Sequence, residues 1–198
     1  MKLFYTDASP FARKCRLVIR EKGAAGVEEI AANPFENGTD LLKANPAGQV
    51  PALIPAEGPT LVGSALICAY LDERLDGPPM IPQDSDARFA ALGRQSLGDA
   101  ALDAAVRLTQ ENRRPAETRS DYWKDRWTSA LNRTLDVCET MAPPADEVDL
   151  GWLTIASLLE YIDFRHEDFD WRAGRPALGG WLEVFGARPF MAATRPSA

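Results

Sequence analysis

A break at Asp76-Gly-Pro-Pro79-Met-Ile-Pro82 divides the sequence into two parts whose hydrophobic periodicities differ, so one uniform architecture cannot satisfy both. Before the break, short strand patterns alternate with helical ones. Lys2 to Tyr5 reads as a strand. Pro10 opens a helix in which Phe11, Cys15 and Val18 recur at helical spacing, and Gly23 stops it. Val27 to Ala32 reads as a second strand, followed by a short irregular or helical segment around Leu41 and Leu42. Ala52 to Ile54 and Thr60 to Val62 flank the turn-rich Pro55-Ala-Glu-Gly58-Pro as a hairpin, and Ser64 caps a helix reaching about Leu75. After the break only helical patterns remain. They run from Asp84 through Leu108, from Tyr122 to Met141, from Thr154 to Phe164 and from Ala177 to Phe185.

The expected fold is therefore an α/β domain of βαβ-ββα order over 1–76, followed by an all-α domain over 83–198. With 198 residues, 45% of them hydrophobic, the chain can bury a core in each. It has no apolar run near the ~20 residues that a bilayer span needs, and its first residues lack the apolar stretch of a secretory signal. The expected compartment is the cytoplasm. Cys15, Cys68 and Cys138 lie far apart, without C-x-x-C spacing, so neither a disulfide framework nor a zinc site is indicated. A single histidine, His166, excludes a multi-histidine metal centre and reads as a surface or helix-end residue, so no metal is expected. A net charge of -7 argues against a general nucleic-acid-binding role, and the chain is expected to engage neither nucleic acid nor membrane. The local basic cluster of Arg13, Lys14, Arg16, Arg20 and Lys22 reads as the solvated face of a helix.

Three segments carry candidate chemistry. Ser9-Pro10-Phe11-Ala12 sits between the first strand and the first helix, where unpaired N–H groups and the helix dipole stabilise an anion, including a thiolate. Glutaredoxins place C-P-F-C at this point. Ser9 and Ala12 replace both cysteines here, which argues against dithiol redox chemistry. Ser9 can donate a hydrogen bond to the sulfur of a bound thiol and favour its ionised form, or it can serve simply as an N-cap. Asn45-Pro46-Ala47-Gly48-Gln49-Val50-Pro51 precedes the third strand. A proline there has no N–H for a ladder, so the segment reads either as a plain turn or as one that presents the Val50 backbone to a ligand. In Leu61-Val62-Gly63-Ser64-Ala65 a strand meets a helix, and Ser64 can offer a hydroxyl and an N–H to a carboxylate.

Together, on a βαβ-ββα order, these segments resemble the glutathione S-transferase family, and the likeness extends over nearly the whole chain. It implies a thioredoxin-like domain, then a helical domain that shapes the second-substrate pocket, in a cytoplasmic homodimer that joins glutathione to small hydrophobic electrophiles or uses it to reduce peroxides. It also implies Ser9 at the glutathione thiol, with Phe11 beside it, and Val50 pairing through its backbone with the cysteinyl unit before a cis Pro51. Gln49 is implied at the glycyl end and Ser64 at the γ-glutamyl carboxylate. Two positions depart from the family pattern. Gly63 stands where an acid usually pairs with the γ-glutamyl ammonium, and Thr154-Ile-Ala-Ser157 has serine where a helix-capping box ends in Asp. Arg107, Glu111 and Arg114 read either as pocket lining or as a solvated helix face. The rival reading for the chain is a non-catalytic glutathione- or protein-binding relative.

Overall fold

A computed structural model describes residues 1–141, 143–144 and 146–197. The chain forms two compact units: Met1–Arg88 together with Pro189–Ala198, and Phe89–Arg188. The division falls inside a helix rather than in the 77–82 break, and the residues from Pro189 onward pack with the first unit rather than with the helical one.

The first unit contains β1 (Lys2–Tyr5), α1 (Pro10–Glu21), β2 (Glu28–Ala31), α2 (Thr39–Ala44), β3 (Ala52–Ile54), β4 (Leu61–Val62) and α3 (Ser64–Arg74). They build a four-stranded sheet in the order β2-β1-β3-β4. β1 and β2 are parallel, a pairing that needs a crossover, and α1 supplies it. β3 runs antiparallel to both β1 and β4, with Phe4 opposite Ala52 and Ala52 opposite Val62.

α1 is buried almost all round, from Ala12 through Ile19. The solvated-face reading therefore holds for Arg20 and fails for the other basic residues, because Arg13, Lys14, Arg16 and Lys22 are 1%, 0%, 8% and 8% exposed. Buried cations need partners, and the fold provides them. Arg16 donates to Asp7 at 2.6 Å and to Glu29 at 2.8 Å, and its guanidinium lies 4.2 Å from the Tyr5 ring centroid. Arg13 donates to the Met191 carbonyl and to Thr194, beyond the short helix that the sequence patterns missed, Pro189–Ala192. Lys22 pairs with Asp72 at 2.9 Å.

The second unit is helical: α4 (Ser85–Asn112), α5 (Asp121–Thr140), α6 (Leu150–Arg165) and α7 (Pro176–Gly186). α6 is its core, with every residue from Leu150 to Leu159 buried. Gly98, in the Ala- and Gly-rich run on α4, serves packing within this unit. A Cβ at Gly98 would stand 2.8 Å from Thr154 Cγ2, so only glycine allows α4 and α6 this close. The expected capping box at Thr154 to Ser157 is not the helix start. Asp149 is the cap, accepting from the Trp152 N–H at 2.8 Å and pairing with Arg94, so the helix begins upstream and Thr154 donates to the Leu150 carbonyl within it. A carboxylate at the cap provides a stronger acceptor than the threonine hydroxyl.

His166 does cap a helix end, that of α6, but it is 7% exposed rather than on the surface. Its Nε2 lies 3.0 Å from the Ala105 carbonyl and 3.1 Å from Thr109 Oγ1. Burial lowers its pKa, opposed by the Ala105 hydrogen bond and reinforced by Arg165. The folded state thus favours neutral imidazole. Its contribution is complete above the unfolded-state pKa of ~6.5 and falls as acidification protonates the unfolded chain first. Thermal melts from pH 7.5 down to 5 are expected to lose more stability in the wild type than in His166→Gln. Parallel pH profiles would remove His166 from the explanation.

Candidate functional site

The strand register brings the three sequence segments to one end of the sheet. β1 leaves through Tyr5 toward Ser9, β3 enters from Pro51 one step beyond the Phe4–Ala52 pair, and β4 leaves through Val62 toward Ser64. Three stretches distant in sequence converge because β3 is antiparallel to both neighbours.

Ser9 is the N-cap of α1 in extended conformation, half-buried, and its Oγ accepts the Ala12 N–H at 3.2 Å. A hydroxyl that accepts at its oxygen still has its proton to donate. Pro10 has no N–H, and the Arg13 N–H goes to the Ser9 carbonyl at 2.9 Å. Among the described residues, the Phe11 N–H is left without an acceptor in that first turn. One hydroxyl and one amide at the positive end of α1 form an anion-stabilising pair of donors.

The Val50–Pro51 peptide is cis. Pro51 is buried, and Val50 packs against the cluster of Phe4, Leu41, Ala44 and Ala52 that joins the sheet to α2. Gln49 is exposed, with its carbonyl held by Asn45 Nδ2 at 2.8 Å. Asn45 was not singled out in the sequence, yet it organises the whole turn. Its Oδ1 accepts the Ala47 N–H at 3.1 Å, and its carbonyl accepts the Gly48 N–H at 2.8 Å. The signal was present: an asparagine before Pro-Ala-Gly bonds readily to backbone two residues on. Gly48 sits at φ +67°, a conformation that favours glycine.

Ser64 is not the helix cap that the sequence implied. Gly63 takes that position at φ +87°, and Ser64 is the first helical residue, 8% exposed. The cause is the backbone, since a turn through positive φ is open to glycine and strained for serine. Among the described residues no side chain caps α3, so its leading N–H groups stay available to a carboxylate.

The remaining candidates lie in the helical unit. Arg107 pairs with Asp103 at 2.8 Å on an exposed turn of α4, in keeping with the solvated-face reading. Glu111 is buried and accepts the Ser120 N–H at 2.6 Å, which makes it a structural link to the start of α5, with Arg114 3.7 Å away. All three cysteines are buried and form no disulfide, and burial pushes the Cys138 thiol up to about 11 despite Arg175 nearby. Among the described residues, no group of His, Cys, Asp and Glu is placed to hold a metal, and no helix is long and apolar enough to cross a membrane.

A mixed four-stranded sheet with flanking helices, entered at a cis proline and followed in sequence by an all-α unit, defines a thioredoxin-like domain joined to a helical one. The family described as glutathione S-transferase, N-terminal domain, matches residues 3–79. The GST-like protein YibF of Escherichia coli (strain K12) is 31% identical over 200 residues, spanning 99% of this chain and 98% of that protein. A glutathione transferase family member from Pseudomonas fluorescens Pf-5, crystallised with bound glutathione, superposes with a TM-score of 0.92 at 34% identity, over 100% of this chain and 99% of that one. A glutathione S-transferase from Methylobacillus flagellatus, also with glutathione bound, gives 0.91 at 28% identity, over 99% of each chain. This chain belongs to the glutathione S-transferase family.

Proposed function

We propose that this protein is a cytoplasmic, homodimeric glutathione transferase in which Ser9 activates the thiol of bound glutathione. The observation that carries the reading is the Ser9 hydroxyl at the start of α1, engaged as an acceptor by Ala12 and free to donate, beside the unpaired Phe11 N–H. The glutathione held by the 34%-identical Pseudomonas fluorescens protein supports the ligand. In this reading the Val50 backbone, ahead of the cis Pro51, pairs with the cysteinyl unit, Gln49 meets the glycyl end, and Ser64 with the first turn of α3 takes the γ-glutamyl carboxylate. The thiolate then displaces a leaving group from an electrophilic carbon, forming the S–C bond as the leaving group departs with its electron pair. With a hydroperoxide it attacks the terminal oxygen instead, the O–O bond breaking as the alcohol leaves, and a second glutathione displaces water from the resulting sulfenic acid to form the disulfide. Calorimetry with glutathione tests the binding, and assays with an activated aryl halide and an organic hydroperoxide test the chemistry. Absence of glutathione binding overturns the reading.

Gly63 favours a second reading, a glutathione- or protein-binding relative without catalysis, because no side chain there can pair with the γ-glutamyl ammonium. Binding without turnover of either reagent would support it. A Cβ at Gly63 meets nothing within 4 Å, so a side chain fits, but φ +87° strains any that is added. Gly63→Gln carries this strain without charge and so isolates the ion pair. Gly63→Glu is expected to bind glutathione ~1 kcal/mol more tightly than Gly63→Gln while both melt earlier than the wild type. Equal affinities in the two variants would mean that the ammonium is already neutralised by another group.

A further inference from the structure

A short loop, Thr6 to Ala8, delivers Ser9 from the end of β1 to the start of α1, and the Ser9 N–H closes it by donating to the Thr6 carbonyl at 3.0 Å. That bond fixes the ends of the loop. Asp7, in its middle, is held through its side chain, and the holder is α1 itself. Arg16 stands seven residues beyond Ser9, close to two helical turns, and therefore on the same side of the helix. Its Nη1 donates to Asp7 Oδ1 at 2.6 Å. The guanidinium that makes this bond is itself immobilised. Its Nε donates to Glu29 Oε2 on β2 at 2.8 Å, its Cζ lies 4.2 Å from the Tyr5 ring centroid, and its side chain is 9% exposed. Glu29 is paired in turn with Arg20, one turn further along α1. Helix and sheet thus fix Arg16 whatever side chain occupies position 7.

The charge of Asp7 works against the chemistry proposed above. It places an anion two residues from the serine that favours a thiolate, and a like charge disfavours ionisation. Electrostatics alone would leave this position neutral. What the carboxylate provides is an attachment, because the planar fork of Arg16 holds Asp7 through Nη1 and Glu29 through Nε at the same time.

We propose that Asp7 and Arg16 are positioning residues for Ser9: the pair locks the loop so that the Ser9 hydroxyl stands where the glutathione sulfur binds. The proposal rests on the reading of Ser9 as the thiol-activating group and assigns the residues that hold it in place. The test compares Asp7→Asn with Asp7→Ala, since both remove the charge and only asparagine keeps an acceptor for Arg16. The Asp7 side chain is half-exposed, so both variants are expected to fold. Ultraviolet titration of bound glutathione is expected to give a thiol pKa about one pH unit higher in Asp7→Ala than in Asp7→Asn. Below both pKa values turnover should be about tenfold lower in Asp7→Ala, with glutathione affinities within about twofold of each other. Arg16→Lys keeps the cation but loses the fork, and is expected to raise the thiol pKa above that of the wild type. Amide exchange reads the loop without glutathione: the Ser9 N–H should exchange faster in Asp7→Ala than in Asp7→Asn. When Ser9→Ala is added to each Asp7 variant, the gap in thiol pKa is expected to close, because the pair acts through that hydroxyl. If Ser9→Ala alone raises the thiol pKa, three results overturn the proposal and leave Ser9 in its role. They are equal pKa values in Asp7→Asn and Asp7→Ala, a gap that survives Ser9→Ala, and a wild-type pKa in Arg16→Lys. If Ser9→Ala alone leaves the thiol pKa unchanged, or glutathione does not bind, the Ser9 reading falls and this proposal falls with it.

Discussion

Ser9→Ala is expected to raise the pKa of the bound glutathione thiol by about one to two pH units, because a hydrogen bond to a charged acceptor contributes roughly 1.5–3 kcal/mol. Assayed below both pKa values, turnover should fall about 10- to 100-fold with the thiolate fraction, while glutathione affinity changes far less. The same substitution removes the cap of α1, worth ~1 kcal/mol, so a loss of activity alone does not identify the cause. Ser9→Asp separates the two effects. It keeps an acceptor for the Ala12 N–H and preserves the helix, yet offers no proton to the sulfur and adds a like charge beside it. Its melting temperature should stay close to that of the wild type while its thiol pKa rises above that of Ser9→Ala. Ultraviolet titration of the bound thiolate reads this directly. An unchanged pKa in Ser9→Ala would pass the activating role to the Phe11 N–H.

Local pattern was enough to place Ser9, because a serine before a proline, between an apolar strand and a helical repeat, is specified by neighbours in sequence. The same holds for the Val50–Pro51 turn and for the strand edges that bring both to one end of the sheet. Sequence reasoning failed where a residue's role is decided by a distant partner. The cations of α1 share the charge pattern of a solvated face, but Arg13 donates to residues 178 and 181 positions away and Lys22 to a carbonyl 53 positions away. Nothing local marks them as buried. Ser64 was misassigned for a different reason: its chemistry suits a cap, but the chain turns at φ +87° and glycine takes that position. Thr154 lost to Asp149, whose carboxylate is supported by Arg94 from another helix. The helix Pro189–Ala192 is too short for any periodicity to show.

The largest effect on stability is expected from Asp72, which the sequence did not single out. Its carboxylate pairs with Lys22 at 2.9 Å and accepts the N–H groups of Met80 and Ile81 at 2.8 and 2.9 Å. The two side chains are 8% and 1% exposed, so neither water nor another anion can replace what Asp72 supplies. Asp72→Ala leaves a buried ammonium that retains, among the described residues, only the Leu75 carbonyl, at 3.3 Å, and two amides without their acceptor. Removing one member of a buried pair costs about 3–5 kcal/mol, or on the order of 10 °C in melting temperature for a chain of this size. Lys22→Met should cost less, because Asp72 keeps its two backbone donors. In the double variant Lys22→Met/Asp72→Asn the buried charges are both gone and one amide acceptor is restored. Its destabilisation is therefore expected to fall short of the sum of Lys22→Met and Asp72→Asn measured singly, by ~1 kcal/mol or more. Strict additivity would show that the ion pair is not the source of the effect. Amide exchange at Met80 and Ile81 gives an independent reading, since both should exchange faster in Asp72→Ala and remain protected in Lys22→Met. If Lys22→Met released those amides as well, the ammonium rather than the carboxylate would be what holds the segment from 76 to 82 against α1 and α3.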